Sequence, residues 1–497
     1  MTLMIITLYI PGTTNTEQST TIDDAQAVYV GKQKQLFIDE FLIASSRNIT
    51  LTMNPPHQIF EPILVADKPW EVQGIGAYNT VLKEGEKFRM WYDALFIGGL
   101  PQEGARRLCY AESTDGINWH KPVLRLVEFD ASKENNIVAP RNLRRSMQGA
   151  TVFIDERAPE EERYKLWSKL TVTKEDRAKG LESGLWAMYS PDGIHWTPYG
   201  DNPNPNTKCD TQNVPFWDDR IEKYVGYVRI WDEDEDGRRW RSVGRVESDD
   251  FHNWSKVENV FEADDLDLNV IPARENMPVV DFYTSAVMKY PFAQDVYFML
   301  PSAFWHWGED GFPDTMDVQL LTSRDGIKWQ RSGSRKPFMR LGPTGSLASK
   351  IIFASPRVVR VGDELWIYFA GFNQPHGAES RNSALFRATL RLDGFISADT
   401  PYHLGELITV PIIFRGSRLE LNLDTSAGGS LKVEIQDEYG HPIDGFRLED
   451  ADELNGNSVR MPVTWNGKSD VSALSGKAVK IRFVMRDTKL YAFQFTC

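Results

Sequence analysis

A seven-residue turn motif, Ser-x-Asp-Gly-x-x-Trp, constrains this chain more than any other feature. It occurs as Ser113-Thr114-Asp115-Gly116-Ile117-Asn118-Trp119, Ser190-Pro191-Asp192-Gly193-Ile194-His195-Trp196 and Ser323-Arg324-Asp325-Gly326-Ile327-Lys328-Trp329. A worn copy, Ser248-Asp249-Asp250-Phe251-His252-Asn253-Trp254, stands between the second and third. Asp-Gly is a hairpin signal because Gly tolerates positive φ and Asp hydrogen-bonds its own backbone. Each copy therefore joins two antiparallel strands, with the Trp folding back over the hairpin. Asp115, Asp192 and Asp325 are read as turn staples rather than catalysts.

One turn motif at long intervals means one supersecondary unit repeated. The tryptophans step from 119 to 196, 254 and 329, intervals of 77, 58 and 75 residues. A four-stranded propeller blade needs about 40–50 residues, so the intervals leave room for long loops. Upstream of each turn lies an aromatic strand: Phe88–Tyr92, Tyr164–Trp167, Lys223–Tyr227 and Asp295–Met299. A fifth, Leu365–Phe369, is followed by Leu392-Asp393-Gly394-Phe395 in the matching place. The order strand, turn, aromatic strand, strand, Asp-Gly turn, strand, taken five times, predicts a five-bladed β-propeller.

Beyond Gly405 the texture changes to period-two alternation, as in Leu419-Glu420-Leu421-Asn422-Leu423 and Val479-Lys480-Ile481-Arg482-Phe483. Such strands build sheets with one wet face. The expected fold class is all-β, a five-bladed propeller followed by a C-terminal β-sandwich of jelly-roll type. The expected boundaries are 1–28 for a flexible N-terminus, 29–404 for the propeller and 405–497 for the sandwich. The stretch from Tyr29 to Pro56 is expected to supply a strand that closes the ring. The second domain buttresses the propeller or binds sugar, with Trp465 as its aromatic candidate.

Charge excludes some partners. With a net charge of −14 over 497 residues, most of the surface repels nucleic acid. No run of about 18 apolar residues offers a membrane span. Three cysteines make no disulfide framework, and no zinc spacing occurs. The clusters Arg141/Arg144/Arg145 and Arg238/Arg239/Arg241 are exposed loop cations, or one of them reaches an anionic or hydroxyl-rich ligand. The acidic run Asp232–Asp236 reads as a solvated loop. The apolar start, Met1–Ile10, resembles an export signal without its basic end, which suggests a secreted or periplasmic protein.

Innermost propeller strands line a central funnel, and polar residues concentrate at their expected starts. These are Glu71, Tyr78 and Asn79 on the first, Asp210 and Asn213 on the third, Asp281 and Tyr283 on the fourth, and Arg357 on the fifth. Strand interiors disfavour Asp and Asn. Carboxylates gathered in a funnel are what glycosidic cleavage needs, one to protonate the leaving oxygen and another as base or nucleophile. Asp210 is the expected general acid, Glu71 the base or nucleophile, and Asp281 a tuning group. Asn79, Tyr78, Asn213, Arg229, Tyr283, His306, Trp307 and Arg357 are expected to hold the sugar.

The run Phe88-Arg89-Met90-Trp91-Tyr92, followed by Ala111-Glu112-Ser113-Thr114-Asp115-Gly116-Ile117-Asn118-Trp119, resembles a blade of the five-bladed-propeller glycoside hydrolases. That group includes the invertase/levanase, arabinanase/xylosidase and mannoside-phosphorylase types. The resemblance covers residues 35 to 400, and a C-terminal β-sandwich in the invertase type matches the change after Gly405. The invertase signatures Asn-Asp-Pro-Asn, Arg-Asp-Pro and Glu-Cys are missing. Asn79 stands where that type has Asp, and Asp210 where it has Glu. The resemblance implies a glycoside hydrolase acting on a polysaccharide or oligosaccharide. The alternatives are a non-catalytic carbohydrate-binding propeller and a sialidase-like hydrolase, whose turns are one residue longer. No cofactor is required by any of these readings; a structural calcium or sodium is compatible with all. Oligomeric state is not legible.

Overall fold

The computed structural model describes residues 27–95, 106–138, 146–172, 174–200, 203, 210–233, 235, 237, 239–268, 280–307, 314–376, 378 and 382–497. The export-signal expectation and Arg141, Arg144, Arg145 and Arg238 lie outside them. The protein is nearly all β with a propeller-like arrangement. Among the described residues only two α-helices occur, Lys174–Ala178 and Asp265–Leu268, and no helix is long and apolar enough to cross a membrane.

Four antiparallel sheets have four strands each. The first runs Ile75–Glu84, Lys87–Leu95, Arg106–Ser113, Ile137–Val138. The second runs Ser146–Ile154, Tyr164–Thr171, Gly184–Ser190, Thr197–Pro198. The third runs Val214–Asp218, Lys223–Glu233, Arg239–Ser248, Glu258–Phe261. The fourth runs Val287–Lys289, Tyr297–Met299, Leu321–Ser323, Gln330–Arg331. A seven-stranded sheet follows, in the order Val280–Phe282, Ser302–Trp305, Thr315–Val318, Ile351–Val361, Glu364–Phe372, Ser383–Arg391, His57–Val65. The strands starting at Ile75, Ser146, Val214, Val287 and Ile351 neighbour one another in a closed cycle.

The aromatic strands are the second strands of these sheets, and their rings seal each sheet against the next. Trp91, Tyr110, Tyr164 and Trp196 fill the first junction. Trp167, Tyr224 and Phe251 fill the second, and Tyr227 and Tyr297 the third. Phe298, Phe369 and Phe395 lie in a further cluster, and Tyr78, Phe353, Trp366 and Tyr368 in another. Large buried rings dominate such interfaces energetically.

The turn motif behaves as its chemistry demands. Ser113 Oγ accepts the Gly116 N–H at 2.9 Å, and Asp115 Oδ1 accepts those of Ile117 and Asn118 at 2.8 Å. The same bonds recur around Ser190 and Asp192 and around Ser323 and Asp325. The turns also latch neighbouring sheets. Trp91 Nε1 donates to the Gly193 carbonyl at 2.7 Å, and the Tyr227 hydroxyl donates to that of Gly326 at 2.6 Å. In the worn copy Phe251 holds φ of 62° and stacks on Trp167, with ring centroids 6.1 Å apart.

The remaining strands form one ten-stranded sheet. Its axis is the antiparallel pairing of Arg418–Asp437 with Ala478–Thr496, from Arg418↔Thr496 to Asp437↔Val479 with two shifts of register, at Asn422/Leu423 and Thr425/Ser430. Alternate residues Leu419, Leu421, Leu423, Leu431, Val433 and Ile435 enter its core. The stretch expected to close the ring, Tyr29 to Pro56, does not do so; the strand that joins the propeller-like sheets lies just beyond it. Strands within 28–53 pair with this sheet: Val28–Gly31 with Ile412–Phe414, and Thr50–Met53 with Ile396–Thr400. His57–Val65 instead adds to Ser383–Arg391. Trp465 is buried, with Nε1 donating to the Val433 carbonyl at 2.8 Å, so it presents no ring to a sugar.

Candidate functional site

Tyr78 and Tyr283 form the floor of the site. Both rings pack on Phe353, with centroids 6.0 and 5.7 Å away. With Arg106 and His376 they line a narrow pocket of about 30 Å3. Burial pushes the Tyr78 phenol up and Tyr283 adds to the rise, while Arg106, Thr211 and Arg229 oppose it. One hydroxyl thus has side chains from three sheets around it. The His376 Nε2 lies 3.1 Å from the Tyr283 hydroxyl.

Three arginines surround these rings, each holding a carboxylate. Arg229 pairs with Asp210, whose side chain is half exposed. The Asp210 carbonyl accepts from Gln148 Nε2, which ties Asp210 to the second sheet. Asn213 fixes the neighbouring strand, accepting the Arg229 N–H at 3.1 Å and donating to the Thr211 carbonyl at 2.9 Å. Arg241 Nη1 donates to Asp281 Oδ2 at 2.8 Å, and His306 Nε2 lies 3.3 Å from Asp281 Oδ1. Burial pushes the Asp281 carboxyl up, but the His306 contact and the Arg241 charge together bring it below its ordinary value. Arg106 lies 3.6 Å from Asp93 and 5.6 Å from the Tyr78 ring centroid.

Asp93 was not among the sequence candidates. It is wholly buried and accepts the Gly149 N–H at 3.1 Å. Burial raises its carboxyl to about 7 against the opposing pull of Arg106 and Gly149. The available signal was Trp91-Tyr92-Asp93-Ala94, an acid inside an apolar strand. Arg106 was missed as a site residue because its role depends on which sheets adjoin; Arg241, expected to be an exposed loop cation unless it reached a ligand, instead lies in the strand Arg239–Ser248 and is largely buried.

The structure brings Asp210, Asp281, Tyr78, Asn213, Arg229, Tyr283 and His306 into this cluster and places the other candidates elsewhere. Glu71 ends the short 3-10 turn Pro69–Glu71, which points its carboxylate inward. There it accepts the N–H groups of Asp67 and Lys68 at 3.0 and 3.2 Å and the Tyr92 hydroxyl at 2.6 Å. Lys121 Nζ reaches both its oxygens, at 2.9 and 2.7 Å. A carboxylate so fully engaged is a structural tie. Arg357 lies within a bulge in Ile351–Val361 and donates to the Pro215 carbonyl at 3.2 Å. It lines a different cavity, of about 520 Å3, with Trp217 and Lys289. Asn79 is buried on the axis side. Its carbonyl accepts from Gln212 and Ser355, while neither amide atom has a hydrogen-bond partner among the described residues. Trp307 is partly exposed, with Nε1 donating to Thr315 Oγ1 at 2.9 Å.

Asp281 also departs from its expected place at the start of the fourth inner strand. It pairs with Phe304 in the seven-stranded sheet, and the fourth sheet begins at Val287. Between them the chain turns, with Ala286 at φ of 43°. Among the described residues no three His, Cys, Asp or Glu side chains gather as a metal site requires.

No family model matches the chain, and no curated protein matches it. Solved structures do. One described as a glycoside hydrolase is 15% identical, with 67% of this chain and 92% of that one covered and a TM-score of 0.44. An N-acetylgalactosamine deacetylase from F. plautii, in complex with blood group B trisaccharide, is 15% identical over 69% of this chain and 96% of its own, at 0.44. A β-1,2-mannobiose phosphorylase from Listeria innocua is 11% identical over 68% and 96%, also at 0.44. At such identities these are likenesses of shape, and the site is read from its own geometry.

Proposed function

We propose that this chain is a carbohydrate-active enzyme that breaks a glycosidic bond beside Tyr78 and Tyr283. One observation carries the reading. Two carboxyl groups in contrasting surroundings, buried Asp93 and half-exposed Asp210, are paired with the two arginines that neighbour the Tyr78 hydroxyl. Glycoside cleavage divides labour between a carboxyl that holds a proton and a carboxylate that meets the sugar or its attacking water. In this reading Asp93 holds the proton, Asp210 faces the sugar, and Asp281 with His306 orients Arg241. Glu71 belongs to the scaffold.

The same reading takes the seven-stranded sheet as a fifth blade, Ile351–Val361 to His57–Val65, extended by three strands. The closed cycle of inner strands supports this. The ten-stranded sheet then becomes a sandwich-like module built from both ends of the described chain, with the boundary near residue 395.

Reducing-sugar release from a panel of glycans, with wild type and Asp210→Asn, tests the reading. The variant is expected to melt normally and to lose about 10²–10⁴-fold in turnover. Unchanged turnover removes Asp210 from the chemistry. A second reading, carbohydrate binding without catalysis, is favoured by the arginine pairing of Asp93, Asp210 and Asp281. Glycans bound but never cleaved would establish it.

A further inference from the structure

Resting on that reading, we infer that the sugar taken by this site carries an anionic group, bound by Arg229 and Arg241 beside an aromatic platform. The strand pairing builds the arrangement. Arg229 and Trp231 share one face of Lys223–Glu233 by period two, and Trp231 lies directly opposite Arg241 on the next strand. The Arg229 guanidinium carbon is 5.2 Å from the Trp231 ring centroid and 5.7 Å from that of Tyr283. For Arg241 the distances are 4.6 and 4.9 Å. Two cations thus crowd the same two rings, in a chain whose net charge is −14.

Each guanidinium has donors to spare. An arginine carries five N–H donors in a planar fork suited to oxyanions. The ion pair with Asp210 engages Arg229 through Nη2, and that with Asp281 engages Arg241 through Nη1. Among the described residues the Nε of each is buried without an acceptor, and the Arg229 side chain is itself more than nine-tenths buried. Buried donors without acceptors are rare and call for an explanation. Trp231 remains 38% exposed, so a sugar face can stack on it while its substituent meets the guanidinium edges. A sugar-borne carboxylate fits the fork bidentately, and a sulfate ester offers the same oxyanion chemistry.

The test is calorimetric binding to the whole protein. The probes are oligogalacturonate, its carboxyl-reduced counterpart of equal length, and a sulfated galactan of similar size. Oligogalacturonate should bind at least about tenfold more tightly than the reduced form, as expected when a charged hydrogen bond is lost. Preference for the sulfated probe would assign the same arginines to a sulfate instead. Arg241→Lys keeps the charge that Asp281 needs but removes the fork. It should narrow the acid-to-neutral ratio while the melting temperature holds. Equal affinity for acidic and reduced probes overturns the inference and leaves glycoside cleavage standing if either is hydrolysed. Cleavage of neutral glycans alone, untouched by Arg241→Lys, overturns it as well.

Discussion

The Tyr368 hydroxyl donates to the Gly116 carbonyl at 3.0 Å across 252 residues of chain. It joins Glu364–Phe372 of the seven-stranded sheet to the turn of the first sheet, as Trp91 joins Gly193 and Tyr227 joins Gly326. The motif glycine therefore serves two needs. Its backbone requires positive φ, and its missing Cβ admits the neighbour's donor. A Cβ on Gly116 would sit 2.7 Å from the Tyr368 oxygen at φ of 71°. Gly85 shares the backbone region, at φ of 57°, but nothing lies within 4 Å of its Cβ position. Gly85→Ala should destabilise by about 1 kcal/mol from backbone strain, and Gly116→Ala by at least about 3 kcal/mol once the clash is added. Urea midpoints of the two variants measure the difference; equal shifts would mean that the latch contributes nothing.

The turn carboxylates also make stability depend on acid. The Asp192 carboxyl is pushed up by burial. It is pulled down further by the His195 N–H and ring, the Ile194 N–H and the Ser190 hydroxyl, settling at about 2. A folded value below the ordinary 3.8 means that the stabilisation is complete above that pH and is lost as pH falls toward 2. Asp192→Asn should lower the melting temperature at pH 7 and narrow its gap to wild type as the pH approaches 2. A gap that stays constant down to that pH would remove the carboxylate's charge from the explanation.

Turns and aromatic strands were legible because their signals are local. Asp-Gly, Ser and Trp at fixed spacing carry their own hydrogen bonds, and strand order follows from them. The site was legible only in part, because its residues are defined by which sheets adjoin. Tyr78 lies early in the inner strand Ile75–Glu84 and Asp210 just before Val214–Asp218, close to where they were expected, whereas Tyr283 follows the end of Val280–Phe282 instead of opening an inner strand. Glu71 occupies an equivalent sequence position, but the 3-10 turn at Pro69 rotates it toward Lys121 and Tyr92. Asp93, Arg106 and Arg241 lie on second and third strands, which the search for inner-strand residues passed over. The split of residues 28–65 between two sheets has no local signature, since either sheet accepts a strand of that pattern.

Glu71 offers a direct test of scaffold against chemistry. Its buried carboxylate is the main partner of Lys121, whose side chain is only 6% exposed, and Asp67 is the second. Removing one member of a buried pair costs about 3–5 kcal/mol, and the remaining Asp67 contact favours the lower end. Glu71→Gln should therefore shift the urea midpoint strongly while the folded protein keeps its wild-type turnover. Glu71→Gln combined with Lys121→Met should recover part of the loss, since no unpaired ammonium is left. A stable Glu71→Gln protein with abolished turnover would return Glu71 to the mechanism.

Asp93 makes the opposite pH prediction to Asp192. Burial lifts its carboxyl from 3.8 to about 7, so between these values the folded state keeps a proton that the unfolded chain has released. Stability then falls as pH rises through that window and levels off above it. Asp93→Asn removes the titration, so the difference between the two melting curves isolates the contribution of Asp93 from those of all other groups. If Asp93 also supplies the proton to the leaving oxygen, wild-type kcat/KM declines above about pH 7, and the asparagine variant loses about 10²–10⁴-fold at the optimum. A variant whose melting temperature tracks wild type in parallel from pH 4 to 8 would show that Asp93 does not titrate there. With that its place as the proton-holding group would go, since Arg106 beside a carboxylate ionised throughout is only an ion pair.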